Sequence, residues 1–432
     1  MSPPATLEAV ARWPLQGAAE ASGRALPALE GRPCSAHPAG GRANSRRILG
    51  PRPTTRLFAG LAVAAMTTLV PTPLPAAASA PRPDLQAVLN ALVTGRDRAA
   101  PGATAYVLTP EGSWSGAAGI ANLRTGQPMW PDARMRIQSN SKAWLMAVIF
   151  QLEHEGKLTL SDTVSHWLPG LLPYGGEITV QELMSDTSGL IDDNDMLRSR
   201  AAFDHALANV KDLKLRTEIE AIWAKVVRDP STYVDPMWLV RLAAWQPLVL
   251  APGTGYHHSN IGWNIVGLIA ARAAGEPLPA LYKQHIFLPL GLHDTSFQPQ
   301  GWIAGPHAEG YSIGANGSLT DATAWTWGKG ADGAIVTDAK DEATFLRALL
   351  DNQLHVRQDF LSFNGSSGAS SPECPGNAFL GEGAGAASRS YVYYNQTGAH
   401  IAVLLLNGFR DATATTGDAK ALSAAEALYC AA

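Results

Sequence analysis

The sequence predicts an α+β fold: an antiparallel β-sheet flanked by helices, with an inserted all-helical subdomain. Short segments typical of strands occur near residue 105 and again near residue 400, each close to Gly or Pro. Between them lies a long stretch that is rich in Ala, Leu, Trp and charged residues and has helical apolar spacing. A structureless loop of that length is rare in a compact domain, so we expect helices to interrupt the sheet.

Apolar spacing and turn residues predict the elements of one domain, residues 84–430, in chain order. The first are a helix at Asp84–Leu92 and two strands, Ala103–Thr109 and Ser113–Ile120. The helical subdomain, about 143–300, has predicted helices at Ala143–Phe150, Ile178–Met184, Ala201–Val210, Glu218–Val227, Trp238–Ala244, Ile261–Ala274 and Leu278–Phe287. The last predicted elements are strands at Ala334–Val336, Ser390–Tyr394 and Ile401–Leu406 and helices at Asp341–Leu350 and Ala419–Leu428.

Composition excludes some classes of function. The chain has 432 residues, 46% of them hydrophobic and 16% charged, which is enough to bury a large core. Its formal net charge of -4 provides no basic excess, so nucleic acid is not an expected partner. No Cys or His spacing typical of a metal site occurs, and we predict no metal and no cofactor.

The N-terminal region differs from the rest of the chain. Residues 1–45 are rich in Ala, Gly, Pro and Arg, and we expect them to be disordered or a non-native extension of the leader. Residues 46–80 are typical of a secretory signal peptide: basic residues, an apolar run at Leu57–Val70, and small residues around a cleavage site after Ala78. The apolar run is too short to span a bilayer, which disfavours the alternative of a membrane anchor. We therefore expect a secreted or periplasmic protein without a stable membrane span after removal of the leader.

Export also bears on the three cysteines. Cys34 would leave with the leader, whereas Cys374 and Cys430 would remain in an oxidising compartment. We predict a disulfide between these two residues. The alternative is a pair of buried thiols.

A candidate nucleophile lies at the start of the first helix of the subdomain. Ser139 and Lys142 stand three residues apart before an almost entirely apolar run, Ala143–Phe150, which is typical of a buried helix. A serine hydroxyl is a poor nucleophile until a base takes its proton, and a lysine desolvated by apolar neighbours can do so. Because a Ser-x-x-Lys pattern also occurs by chance, it does not identify a site alone.

Several segments together resemble the serine β-lactamase and penicillin-binding-protein superfamily, most closely its class C β-lactamase and D-alanyl-D-alanine carboxypeptidase branch. The resemblance extends from about Gly95 to Phe409. It rests on the order and spacing of Arg136 to Lys142, Glu155 to Leu160, Ile178 to Leu190, Pro252-Gly253-Thr254, Ser259-Asn260, Pro289 to Leu292 and Thr295-Ser296-Phe297. It implies a β-lactamase/transpeptidase-like fold, with Ser139 as nucleophile and Lys142 as its basic partner.

The superfamily's second motif, Tyr-x-Asn, corresponds here to His258-Ser259-Asn260. The resemblance implies that Asn260 binds the substrate amide and Lys142. Imidazole titrates near neutrality, so His258 is a candidate general base and acid; a purely structural substitution is the alternative. Tyr256 is a more distant replacement. Asp186 stands where a histidine commonly precedes Thr-Ser-Gly, and the sequence assigns it no role.

The third motif, Lys-Thr-Gly or His-x-Gly, corresponds to Gly381-Glu382-Gly383 and therefore lacks its cation or imidazole. Arg389 is a candidate replacement for that charge, and a solvated surface arginine is the alternative. The resemblance implies that the backbone N–H groups of Ser139 and Ala384 hold the carbonyl oxygen. The missing charge disfavours strong β-lactamase or carboxypeptidase activity.

The resulting hypothesis is an exported serine hydrolase that forms an acyl-enzyme at Ser139 on an amide, ester or β-lactam carbonyl. D-alanyl peptidase, β-lactamase and esterase activities all remain open, with a small molecule or a cell-wall peptide as substrate. The alternative is a catalytically impaired binding or scaffold protein that retains the fold. We expect the protein to be a monomer.

Overall fold

The computed structural model describes residues 81–431, except 96, 315, 327–329, 358–373, 375–377 and 411–414. The predicted signal peptide and its extension lie outside the described residues, as does Cys34. Within the described residues, no helix is both long enough and apolar enough to cross a bilayer.

Helices and strands follow one another in three groups. The first contains α1 (Pro83–Val93), β1 (Gly102–Thr109), β2 (Gly112–Asn122), β3 (Gln127–Pro128) and β4 (Met135–Arg136). A 3₁₀ turn at Gln138–Asn140 leads into the second, which contains α2 (Ser141–His154), α3 (Val164–Trp167), α4 (Val180–Met184), α5 (Asp193–Leu197), α6 (Arg200–Asn209), α7 (Leu213–Arg228), α8 (Met237–Ala243), α9 (Asn260–Ala274), α10 (Leu278–Tyr282), a π-helical turn (Lys283–Phe287) and α11 (Leu288–Leu290). The third contains β5 (Ser296–Phe297), β6 (Tyr311–Ile313), β7 (Leu319–Asp321), β8 (Ile335–Thr337), α12 (Ala339–Leu350), β9 (Ala378–Gly385), β10 (Ser388–Asn395), β11 (Ile401–Leu406), β12 (Gly408–Arg410) and α13 (Thr415–Cys430).

The main sheet joins strands from the two ends of the domain. Its order is β3-β2-β1-β11-β10-β9, and its neighbouring strands are antiparallel. The two ends meet where β1 pairs with β11, Ala103 opposite Leu406 and Leu108 opposite Ile401. All six residues of β11 are buried, because both faces of the sheet are covered. The predicted α+β fold is confirmed.

Each face of this sheet packs against helices. On one face, α1 contributes Leu85, Leu89 and Leu92, which are spaced by four and three residues and so share one side of the helix. The same apolar cluster contains Tyr391 of β10 and Leu428 of α13. The opposite face packs against α2 and α12 in the larger core. The candidate nucleophile, which precedes α2, therefore lies on the same face of the main sheet as α2.

Helix α2 is anchored deeply in that core. Most of its side chains are buried, and Trp144 stacks on Phe345 of α12 with ring centroids 3.9 Å apart. Ser141 Oγ accepts a hydrogen bond of 3.1 Å from the backbone N–H of Ile335. The start of α2 is thus tied to a small sheet with the order β4-β8-β5. The predicted strand at Ala334–Val336 corresponds to β8, whereas the two-residue strands β4 and β5 were not predicted because they are too short to show a period.

The two remaining cysteines are bonded to each other. Cys374 and Cys430 form a disulfide with Cα atoms 4.8 Å apart, linking the segment before β9 to the end of α13. Their sulfurs and the carboxylate of Glu426 are the group within the described residues that is compact enough to hold a metal ion. Because the sulfurs are bonded to each other, no thiolate ligand is available there.

Candidate active site

Ser139 and Lys142 lie at the heart of the site. Lys142 Nζ is 2.9 Å from Ser139 Oγ, 2.8 Å from Asn260 Oδ1 and 3.4 Å from the backbone oxygen of Asp332. Lys142 is 6% exposed, whereas Ser139 is only partly buried. The amine is therefore shielded from water while the hydroxyl stays within reach of a substrate. The structure brings together the three residues that the first two motifs predicted.

The turn that presents Ser139 is fastened to strand β10. Gln138 has a φ of 53°, a left-handed conformation that is uncommon for a residue with a side chain. Ser388 Oγ donates to the backbone oxygen of Arg136 at 2.8 Å and accepts from Gln138 Nε2 at 2.8 Å. Ser390 Oγ likewise donates to the backbone oxygen of Ile137 at 2.6 Å. These bonds hold the turn in its strained form.

Glycines on β9 make room for the same turn. Gly381, Gly383 and Gly385 alternate along the strand, so they point to one face. A Cβ at Gly383 would lie 2.1 Å from the backbone oxygen of Ile137, and one at Gly381 would lie 2.9 Å from Asn140 Oδ1. The third motif therefore lies directly against the nucleophile turn, and its backbone rather than a side chain makes the contact.

Arg389 does not supply the missing charge at that position. In the β9–β10 register Arg389 lies opposite Ala384, whereas Ser390 lies opposite Gly383, so Arg389 points to the other face of the sheet. Its guanidinium pairs with Glu382 and lies 5.4 Å from the ring of Tyr391. This placement disfavours Arg389 as a substrate ligand, because adjacent strand residues face opposite sides. The backbone N–H of Ala384 stays a prediction for the oxyanion site.

Two consecutive carboxylates hold the second motif. Asp192 Oδ1 accepts the backbone N–H of Asn260 at 2.9 Å. Asp193 Oδ1 accepts Asn260 Nδ2–H at 2.9 Å. The amide of Asn260 is thereby oriented so that its oxygen faces Lys142.

His258 is paired with the first of these carboxylates. Its Nδ1 lies 3.2 Å from Asp192 Oδ2, and its side chain is 42% exposed. The hydrogen bond with Asp192 raises the pKa of His258 above its ordinary value, although burial and the charge of Lys142 act in the opposite direction. Burial favours the neutral form of Asp192, but its hydrogen bonds outweigh this and hold the pKa of that carboxyl well below its usual range.

Asp186 accepts hydrogen bonds from the backbone on both sides of His258. Its backbone oxygen accepts the N–H of His257 at 2.7 Å, and its Oδ1 accepts the N–H of Ser259 at 3.2 Å. Asp186 itself has a φ of 53° and is buried, and burial raises the pKa of its carboxyl. The residue that replaces the superfamily's histidine thus has a structural function that the sequence did not reveal.

The neighbouring histidine, His257, has a different environment. Its Nε2 lies 3.3 Å from Asp195 Oδ2. Both residues line a cavity of about 500 Å³ next to α6, together with Arg198 and His205. The chain therefore contains two adjacent Asp–His pairs, and one of them shares its aspartate with Asn260. Tyr256, the more distant replacement for the motif tyrosine, is 62% exposed.

Sequence reasoning missed four polar residues that support the site. They are Asp192, Asp193, Asn264 and Asp332. Asn264 Nδ2 donates to Asp332 Oδ1 at 3.1 Å, which fixes the loop whose backbone oxygen meets Lys142. The adjacent acids after Thr187-Ser188-Gly189-Leu190 were the available signal, but only the fold reveals their partners.

The fold and the Ser-x-x-Lys site together define a protein of the serine β-lactamase and penicillin-binding-protein type. The chain matches the Beta-lactamase family model over residues 85–426 and therefore belongs to the β-lactamase family. The resemblance seen in the sequence is confirmed at the level of the superfamily, and these matches are compatible with the class C branch without separating it from the others.

Three known proteins illustrate the similarity. Esterase EstB of Burkholderia gladioli is 28% identical over 190 residues, which cover 42% of this chain and 43% of the esterase. Penicillin-binding protein 4* of Bacillus subtilis is 25% identical over 266 residues, which cover 59% of this chain and 52% of that protein. The chain thus spans about half the length of these relatives. The structure of a D-stereospecific amidohydrolase from Streptomyces sp. superposes with a TM-score of 0.62 at 24% identity, covering 81% of this chain and 99% of that one, and shows the shared fold.

Proposed function

We propose that this protein is an exported serine hydrolase that forms an acyl-enzyme at Ser139. The observation that carries the proposal is the 2.9 Å contact between Lys142 Nζ and the accessible Ser139 Oγ. The relatives of this chain include proteins named as an esterase and a penicillin-binding protein, and an amidohydrolase shares its fold. These similarities support hydrolysis of an acyl bond.

Three oxygen atoms face Lys142 Nζ, and the proposed mechanism requires Lys142 to begin as a neutral amine. Such an amine has two N–H bonds and one lone pair. Lys142 Nζ donates to Asn260 Oδ1, to the backbone oxygen of Asp332 and to Ser139 Oγ. In the neutral form it would keep the first two donations, and its lone pair would accept the hydroxyl proton of Ser139 across the same 2.9 Å contact. As that proton moves to Nζ, Ser139 Oγ bonds to the carbonyl carbon. The negative charge that develops on the carbonyl oxygen would be held by the N–H groups of Ser139 and Ala384.

The third motif favours esters or neutral amides over substrates that carry a carboxylate. Gly381 has no side chain to bind such a group, and the charge of Arg389 is on the other face of the sheet. D-alanyl peptides and β-lactams both have a carboxylate near the scissile bond. We therefore rank a small acyl ester first among the three substrate types, ahead of cell-wall peptides and β-lactams.

A substrate panel tests this function. Purified protein would be incubated with p-nitrophenyl esters of increasing chain length, a D-alanyl-D-alanine peptide and a chromogenic cephalosporin. We expect ester hydrolysis that vanishes in Ser139→Ala. Turnover that is equal in wild type and Ser139→Ala would contradict the proposal. A stably folded protein without any turnover would favour the alternative, a binding or scaffold protein. The absence of the third-motif cation supports that alternative.

Export and a monomeric state are parts of the same proposal. The basic, apolar and small-residue order in 46–80 supports a cleaved leader, and the Cys374–Cys430 disulfide is compatible with an oxidising compartment. N-terminal sequencing of protein recovered from the culture medium or the periplasm should begin after Ala78. Light scattering should give the mass of one chain.

A further inference from the structure

The carboxylate of Asp192 meets both functional residues of the second motif. Oδ1 accepts the backbone N–H of Asn260 at 2.9 Å, and Oδ2 lies 3.2 Å from His258 Nδ1. Oδ2 also accepts Asn194 Nδ2–H at 2.7 Å. Asp192 is 5% exposed, so both oxygens are directed inward at these partners.

We propose that Asp192 is a positioning residue that holds His258 with Nδ1 protonated and Nε2 free to exchange protons with the leaving group and with the deacylating water. The inference rests on the proposed function. An ionised carboxylate only accepts hydrogen bonds, so the proton between the two groups must be on Nδ1. Asp192 does not contact Nε2, the other ring nitrogen. Nε2 therefore carries a lone pair when His258 is neutral and a proton when His258 is charged.

The backbone directs His258 to the same side as Asn260. Ser259 is extended, with φ -150° and ψ 105°, so the side chains of His258 and Asn260 share one face. Asn260 on that face contacts Lys142, which in turn contacts Ser139. The charged groups that act on the His258 imidazole are Asp192, Lys142 and Asp186.

Lys142 and His258 would be protonated in turn, with His258 protonated before acylation and Lys142 after it. In acylation, Ser139 gives its proton to neutral Lys142, Oγ bonds to the carbonyl carbon, and the leaving group departs with the proton of His258 Nε2. In deacylation, water gives a proton to the now neutral His258 Nε2 and its oxygen bonds to the acyl carbon. The bond from that carbon to Oγ breaks, and Ser139 recovers the proton from Lys142. Acid and alcohol or amine are released, and both bases return to their first state.

The second Asp–His pair provides a matched control. His257 directly precedes His258, and Asp195 follows Asp192 by three residues. His257 Nε2 lies 3.3 Å from Asp195 Oδ2, and both side chains line the cavity next to α6. Asp192→Asn keeps an oxygen for the backbone N–H of Asn260 but presents N–H groups to His258. The imidazole is then expected to switch its proton to Nε2.

The test compares Asp192→Asn with Asp195→Asn by burst kinetics on a p-nitrophenyl ester. The p-nitrophenolate leaving group needs no acid, so we expect Asp192→Asn to retain the acylation burst while its steady-state rate falls by roughly 10²–10⁴-fold. Its rate on an alkyl ester should also fall, because that leaving group needs a proton. The pH at which deacylation reaches half its plateau should move lower. Asp195→Asn should behave as wild type.

Double variants separate positioning from misfolding. If Asp192 acts through His258, Asp192→Asn should cost nothing further in a His258→Ala background. A further loss there, an equal loss in Asp195→Asn, or an unchanged pH profile would overturn the inference while hydrolysis dependent on Ser139 leaves the proposed function standing. Absence of any hydrolysis dependent on Ser139 would overturn both.

Discussion

The side-chain nitrogen of Lys142 lies 2.9 Å from the hydroxyl oxygen of Ser139, and the lysine is buried while the serine is only partly buried. In the proposed mechanism, this contact joins a buried base to a partly exposed nucleophile. Groups outside α2 position both residues. The strained turn positions Ser139, and hydrogen bonds to Asn260 and Asp332 position Lys142.

Lys142→Met should strongly reduce turnover without unfolding the protein. Methionine has a similar length and no charge, so the core around it is retained while the base is lost. We expect kcat/KM on a p-nitrophenyl ester to fall by roughly 10²–10⁴-fold. Lys157→Met, at an exposed lysine paired with Glu155, is the control and should retain full activity. Equal rates in the two variants would exclude Lys142 as the base.

Gly383→Ala should damage the nucleophile turn more than Gly381→Ala. The new Cβ at Gly383 would meet a backbone oxygen at 2.1 Å, whereas the one at Gly381 meets the movable end of the Asn140 side chain at 2.9 Å. Overpacking against backbone costs on the order of 1–3 kcal/mol or more. We expect a lower Tm and a large loss of kcat for Gly383→Ala, with a mild effect for Gly381→Ala. The reverse order, measured by calorimetry and initial rates, would show that β9 does not support the turn in this way.

Glu342 should make the protein less stable as the pH rises from about 5 to about 8. Burial raises the pKa of Glu342 to about 8, while a hydrogen bond of 3.0 Å from Trp144 Nε1 acts in the opposite direction. Between the unfolded pKa near 4.5 and the folded value, the folded state binds the extra proton, so each step up in pH favours unfolding. The total effect is on the order of a few kcal/mol.

Urea unfolding at several pH values measures this slope. Glu342→Gln should flatten it, because the amide still accepts the Trp144 N–H and does not titrate. Glu177→Gln, at an exposed position, should leave the slope of the wild type unchanged. A wild-type stability that rises over the same pH range would contradict the assignment.

The disulfide should stabilise the fold without taking part in catalysis. It links residues 56 apart, for which loop closure predicts a loss of about 4 kcal/mol on reduction. Both cysteines belong to the apolar cluster on the face of the sheet opposite α2. Cys374→Ser combined with Cys430→Ser should therefore lower Tm but retain kcat per folded molecule at low temperature. A selective loss of kcat at unchanged Tm would mean that the bond supports the site itself.

Sequence periodicity predicted most of the long helices and strands, and the shortest strands were missed because they have no pattern to detect. The apolar run after Lys142 and the continuous apolar strand Ile401–Leu406 are both deeply buried, and burial is what such patterns report. The two-residue strands β3, β4 and β5 have no pattern to detect. They form because longer neighbouring segments bring their backbones together.

The site was predictable only where a motif marked it. Ser139, Lys142 and Asn260 follow motif spacing, and the structure brings them into contact. Asp192 and Asp332 come from distant parts of the chain and meet the motif residues only in the fold. The placement of Arg389 follows from the alternation of side chains along a strand. Ser388 and Ser390 face the nucleophile turn, so the residue between them faces away.

The central claim is that Ser139 becomes covalently acylated. Intact-protein mass spectrometry after incubation with a fluorophosphonate, followed by peptide mapping, measures this directly. We predict one adduct per chain on Ser139 and none in Ser139→Ala, while Ser141→Ala still forms it. An unmodified wild-type protein, or an adduct on another residue that persists in Ser139→Ala, would contradict the account.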